Sequence, residues 1–248
     1  MAIFQYGGAG DSSSTENPGD LNNWIKRRFV FSDIVSFNSR VGPLQAINGG
    51  GGTLLDQNPD VGPQLGAMKI QGGTTGQYFS FGTGANGMSM DDGLEVAMGL
   101  RVCCVTPPAS AGNDYQFFFG LNDSVTGVVT ADHAGIGLYS GTSEVNWTTV
   151  NKGSGSAIAT DTGTAINTTG IQTLELFKKG DGTQIDFYID GSLEKSETTA
   201  ANLPGGNFGF LIACLNVANA AEGVFIFDGY IAYKASTGGT FASWPPSY

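Results

Sequence analysis

An all-β chain of antiparallel strands in one domain is the architecture the sequence predicts, and three observations carry it. Glycine fills 39 of the 248 positions, against a usual share of roughly 7%. Charged residues make up 13% of the chain, where roughly 25% is ordinary. Long helices favour neither number. Hydrophobic residues still supply 40%, enough for a sizeable core, and they recur with period two in short runs between turn residues. No stretch keeps a 3.6-residue period over three turns. Sandwiches and barrels commonly reach this length as single units.

The elements follow in order. Residues 1–27 form an N-terminal arm rich in Gly, Ser, Asn and Asp, with Ile3, Phe4 and Tyr6 at its tip. From Arg28 the pattern alternates: Phe29, Phe31, Val35 and Phe37 share one face and Ser32, Ser36 and Asn38 the other. Gly49 to Gly52 is a turn and Asp56 to Pro63 a loop. Strands are predicted at Gly66–Gln71, Tyr78–Phe81, Leu94–Val105, Tyr115–Leu121 and Gly135–Tyr139. Asn151 to Thr169 has almost no large apolar side chain and reads as a loop or an exposed edge. Leu174 and Leu176, then Ile185, Phe187 and Ile189, are separated by Lys179-Gly180-Asp181-Gly182 and followed by Asp190-Gly191. That is an antiparallel meander, because type I′ turns need φ > 0 and Asp-Gly tolerates it. Phe208–Asn216 and Val224–Tyr233 complete about ten strands, and residues 235–248, with Trp244-Pro245-Pro246, form an extended tail.

Gln184-Ile185-Asp186-Phe187-Tyr188-Ile189-Asp190-Gly191-Ser192-Leu193 resembles the Asp-Gly hairpin of concanavalin A-like lectin and glucanase domains, laminin-G-like modules included. The long strand from Leu94, Phe117-Phe118-Phe119-Gly120-Leu121, Gly135-Ile136-Gly137-Leu138 and the closing strand from Val224 resemble the same domains in the same order. The resemblance covers residues 28–234 and implies an antiparallel two-sheet jelly-roll sandwich. In glycine content, low charge and lack of a signal peptide, the chain also resembles jelly-roll proteins of tailed-bacteriophage particles. What that implies is a non-enzymatic virion structural protein, made in a host cytoplasm, that decorates or cements a phage capsid or tail. Its partners would be other virion proteins, capsid or tail subunits, and further copies in a homo-oligomer. The alternative is a lectin-like receptor-recognition module of a tail or fibre, with a cell-surface glycan as partner.

Charge narrows the field. The balance of −11 opposes phosphate backbones and anionic lipid, so neither nucleic acid nor a membrane is an expected partner. The start lacks a basic segment followed by a sustained apolar run, so no signal peptide is expected.

Few residues carry chemistry. Glycanases of the resembling family share a Glu-x-Asp-x-x-Glu strand for two-carboxylate hydrolysis, and the sequence has none. Asp186 and Asp190 flank Tyr188 on one face, but beside an Asp-Gly turn they are expected to be solvated. His133, the single histidine, is expected to be a loop or edge side chain. Trp147, with Asn146 and Asn151 nearby, is a candidate sugar site, since a ring stacks on a pyranose face while amides fix hydroxyls. Asp56, Asn58 and Asp60 alternate before Gly62 as a weak calcium loop, but Pro59 interrupts and Ala67 stands where a bidentate Glu belongs. No metal or other cofactor is expected. Cys103, Cys104 and Cys214 are too few for a disulfide framework and are expected to be free, Cys104 sharing the inward alternation of Leu94 to Val102. The arm is costly to order alone, and Ile3, Phe4 and Tyr6 are its candidate partner-docking residues.

Overall fold

The computed structural model describes residues 69–82, 88–108, 115–123, 132–138, 145–218 and 223–232, and beyond these the backbone alone of 25–30, 40–41, 44–49, 53–56, 68 and 233–235. Sixteen strands lie among the described residues: β1 (Ile25–Val30), β2 (Arg40–Val41), β3 (Leu44–Gly49), β4 (Thr53–Asp56), β5 (Met68–Gln71), β6 (Tyr78–Gly82), β7 (Leu94–Cys103), β8 (Tyr115–Asn122), β9 (His133–Leu138), β10 (Asn146–Lys152), β11 (Ile158–Ala165), β12 (Gln172–Lys178), β13 (Ile185–Ile189), β14 (Ser192–Glu197), β15 (Gly209–Asn216) and β16 (Val224–Ala235). The helical content among these residues is one 3-10 turn, Ala200–Asn202.

The strands make two antiparallel eight-stranded sheets. One has the order β14-β13-β12-β7-β16-β5-β4, with β1 also paired to β16; the other has the order β11-β10-β9-β8-β15-β6-β3-β2. β1 lies along residues 228–233 of β16 and β5 along residues 224–226, on the side of β16 opposite β7. One long strand therefore supports two short ones end to end.

Alternation decides which side chains enter the core. Leu94, Val96, Met98, Leu100, Val102 and Cys104 from one sheet meet Phe117, Phe119, Leu121, Ile136, Phe210 and Ile212 from the other, all within one buried cluster. This is the predicted inward row of β7 with its predicted sixth member, Cys104. Cys103 joins a separate cluster with Phe225 and Phe227 on the opposite face, so the two adjacent thiols diverge as strand neighbours must. The predicted meander is present as β12, β13 and β14. Its second turn puts Asp190 at φ 50 and Gly191 at φ 80, the paired positive φ that an Asp-Gly turn allows.

Three boundaries differ from the sequence reading. β1 begins at Ile25, three residues inside the predicted arm, and ends at Val30. β16 runs one residue past the predicted limit of 234. Residues 146–152, not predicted as a strand, are β10 in the interior of the second sheet. The exposed edge expected within 151–169 is β11, which ends that sheet.

His133 is not at a loop or edge. It opens β9, between β8 and β10, paired in register with Asn122 and Lys152. It is fully buried, with its ring edge-on to Phe118 at 5.9 Å between centroids. The two outward positions that follow it in β9 are Gly135 and Gly137, and the Phe118 ring lies over the first of them.

Candidate functional site

The side chains that could carry recognition lie on β10, β11 and their surroundings. β10 alternates Trp147, Thr149 and Asn151 against Asn146, Thr148, Val150 and Lys152, and the register with β9 turns the first set inward. Trp147 is 0% exposed. Its indole N–H donates to Gln172 Oε1 at 2.8 Å, and its ring stands edge-on to Phe117 at 6.4 Å. A ring enclosed on all sides has no face for a pyranose, so Trp147 is a core residue and not the platform of a sugar site. Asn151 is also buried, its Nδ2 donating to Glu197 Oε2 at 2.6 Å. Both residues tie the second sheet to the first across the interior.

Of the predicted trio only Asn146 faces outward. Its Nδ2 donates to both carboxylate oxygens of Asp161, at 3.1 and 3.2 Å. Asp161 Oδ1 also accepts the N–H of Gly163 at 2.7 Å, and Thr162 Oγ1 accepts that of Thr164 while donating to Trp147 O. These local bonds hold a bulge in β11, where 162–164 oppose a single residue of β10. Gly163 sits at φ +76 there.

The carboxylates of the first sheet are tied down. Asp186, expected in solvent, is buried on the outward face, accepting from Ser196 Oγ and from Gln184 Nε2. The hairpin partner strand β14 covers it, which the Asp-Gly turn alone does not foretell. Glu175 accepts from Tyr230 OH at 2.9 Å, over Gly99, where a Cβ would stand 2.2 Å from the Tyr230 ring. Asp228 pairs with Arg101 at 3.4 Å. Glu197 gathers Asn151, Asn202 Nδ2, the Thr199 N–H and Lys195 Nζ. Burial pushes its pKa up, but those bonds and the Lys195 charge outweigh it and hold it below the ordinary value.

At one end of β8 and β9, Asp123 donates its N–H to Asp132 O at 3.0 Å, and Asp132 Oδ2 accepts from Gly205 N at 3.1 Å. Burial, with the charge of Asp132, raises the Asp123 pKa against the opposing pull of backbone hydrogen bonds and Lys152. Lys178 is fully buried. Burial lowers its pKa, while Asp92, 2.8 Å away, works in the other direction.

Asp56 closes β4, and Asn58 and Asp60 lie outside the described residues. Ile3, Phe4 and Tyr6 lie outside them too. Among the described residues no group of three or more His, Cys, Asp or Glu side chains is placed to hold a metal ion. Cys103, Cys104 and Cys214 are free thiols and all buried. Burial raises the Cys103 pKa and pushes that of Cys214 up to about 12.

Three large hydrophobic side chains are exposed among the described residues: Val145 at 67%, Leu193 at 55% and Ile158 at 38%. They stand around one side of the sandwich, where edge strands β11 and β14 run together and Lys195 Nζ donates to Thr160 Oγ1. Sequence reasoning marked this edge but not its partners, which come from β14, 35 residues away.

No protein-family model matches the sequence, and no curated protein matches it. Solved structures do. A protein of unknown function from Shewanella oneidensis MR-1 has a TM-score of 0.58 at 18% identity, covering 88% of this chain and 89% of its own. A carbohydrate esterase from the Shiga toxin-encoding bacteriophage phi24B has a TM-score of 0.55 at 15% identity, covering 85% and 97%. An endo-1,3-beta-glucanase from Streptomyces sioyaensis has a TM-score of 0.53 at 14% identity, covering 87% and 98%. Two antiparallel sheets, the Asp-Gly hairpin and these neighbours together give the chain the concanavalin A-like jelly-roll sandwich fold.

Proposed function

We propose that the protein is a non-enzymatic structural subunit of a bacteriophage particle, decorating or cementing the capsid or tail. The observation that carries this reading is the use to which its buried carboxylates are put. Glu175, Asp186 and Glu197 each accept hydrogen bonds from side chains on other strands. A general acid or nucleophile needs an oxygen directed at substrate, and these oxygens are directed at the protein. Such bonds make a rigid shell component. A similar fold in a phage-encoded protein supports the setting.

The experiment is add-back. Particles grown without the gene are mixed with purified protein and separated on a gradient. Saturable co-sedimentation at a fixed copy number per particle is the expected result, and protein that stays at the top of the gradient contradicts the reading.

A carbohydrate-binding role is the second reading, favoured by the outward Asn146 and Asp161 pair, since amide and carboxylate fix sugar hydroxyls. The esterase and the glucanase of similar fold lend it support. A glycan array separates the two: a hit abolished by Asp161→Ala selects recognition, and a blank array leaves assembly.

A further inference from the structure

β11 pairs with β10 on one side, and among the described strands none pairs on its other side. The bulge at 161–164 blunts half of that edge. Residues 158–160, Ile-Ala-Thr, with Ala157 just before them, are left as a short straight edge, with Ala157, Ile158 and Thr160 exposed in the single chain. The usual guards of such an edge are Pro, Lys or an inward charge, and 153–160 contain none of them.

We propose that the N-terminal tip Ile3-Phe4-Gln5-Tyr6 of one copy adds as a strand to this edge on a second copy. The four residues of the tip are enough to cover the three straight residues of this edge. The chain carries −11 overall, yet residues 1–10 have no charged side chain and neither do 153–160, so these two segments approach without the repulsion that opposes most pairs of surfaces. Backbone hydrogen bonds supply affinity, while alternate tip side chains meet the exposed Ile158.

Reach is sufficient. β1 begins at Ile25 beside β16, in the first sheet. Residues 7–24, at up to roughly 3.3 Å each, span about 60 Å. β1 lies beyond β16, on the far side of the first sheet from β14, and β14 runs beside β11, so a copy's own arm would have to cross the width of the sandwich to reach this edge, whereas a neighbour's tip meets it directly. Mutual exchange of arms closes a two-fold pair, and exchange around a ring or surface lattice extends it. This inference stands apart from the particle reading, because copies of the chain alone suffice.

Sedimentation velocity over a concentration series tests it with three proteins: the full chain, the tip variant Ile3→Ser/Phe4→Ser/Tyr6→Ser, and the edge variant Ile158→Lys. The full chain is expected to associate as concentration rises. Each variant alone is expected to remain monomeric with an unchanged unfolding temperature. Mixed in equal amounts they should form pairs again, one supplying the arm and the other the edge. Hydrogen exchange of amides 157–160 should slow with concentration in the full chain only. A monomeric full chain, association untouched by both variants, or slow exchange at 157–160 that ignores dilution would each overturn the proposal; the last would place a copy's own arm on the edge. If Ile158→Lys unfolds, deletion of residues 2–6 and the exchange measurement decide alone.

Discussion

Glu197 is a carboxylate whose worth depends on staying ionised. Its four donors, from Asn151, Asn202, Thr199 and Lys195, are matched to an acceptor with two charged oxygens. Its pKa is held below the ordinary 4.5, so the stability it contributes is complete above about pH 4.5 and is lost as pH falls through its lower folded value. Glu197→Gln turns an amide N–H toward these donors and should reduce stability by about 1–3 kcal/mol at neutral pH, with the deficit shrinking in acid. Thermal unfolding of both proteins from acid to neutral pH measures this. Asp123 has the opposite sign. Its raised pKa means that the folded protein holds the proton more tightly, so ionisation subtracts stability as pH rises from 3.8 through the folded value. Asp123→Asn should therefore raise the melting temperature at neutral pH, by the equivalent of less than about 1 kcal/mol for a partly exposed group, and the gain should vanish in acid.

Elements explain why some residues of this kind were legible in the sequence and others were not. β7, β8 and β13 place large apolar residues at every second position, and strand and inward face are both read from that rhythm. β10 places Trp147, Thr149 and Asn151 inward. Two of those three are polar, and their partners Gln172 and Glu197 lie 25 and 46 residues further on. Nothing local marks them as core, so Trp147 reads as a loop platform. His133 fails for a similar reason, since its burial depends on Phe118 of the preceding strand. At the end of β12, Lys178 faces the interior and meets Asp92 Oδ1 and Leu94 O, each at 2.8 Å. Asp92→Ala leaves a buried ammonium with half its partners and should cost about 3–5 kcal/mol. Lys178→Met removes the charge itself. Asp92 keeps the N–H groups of Ser89 and Leu94, so the loss should be well under half as large. Because the folded pKa of Lys178 is lowered, the Asp92→Ala deficit should also shrink toward alkaline pH. Urea midpoints of the two variants at two pH values give the comparison.

For the whole molecule, period-two alternation placed an all-β antiparallel chain, the resemblance carried by the Asp-Gly hairpin implied the two-sheet sandwich, and the sheets were filled in by strands too polar to announce themselves. Function is read at this scale as well. A sandwich whose buried Glu175, Asp186 and Glu197 bond to the protein, with three buried thiols and, among the described strands, an open edge at β11, is suited to being built into something larger. The net charge of −11 would keep single copies soluble until a specific contact is made. The role proposed above would make the protein a stoichiometric part of a phage particle. Quantitative mass spectrometry of gradient-purified particles, with peptides of this chain measured against the major shell protein, tests it most directly. A fixed ratio across preparations, retained after a salt wash, is expected, and a ratio that falls toward zero with purification would rule the role out.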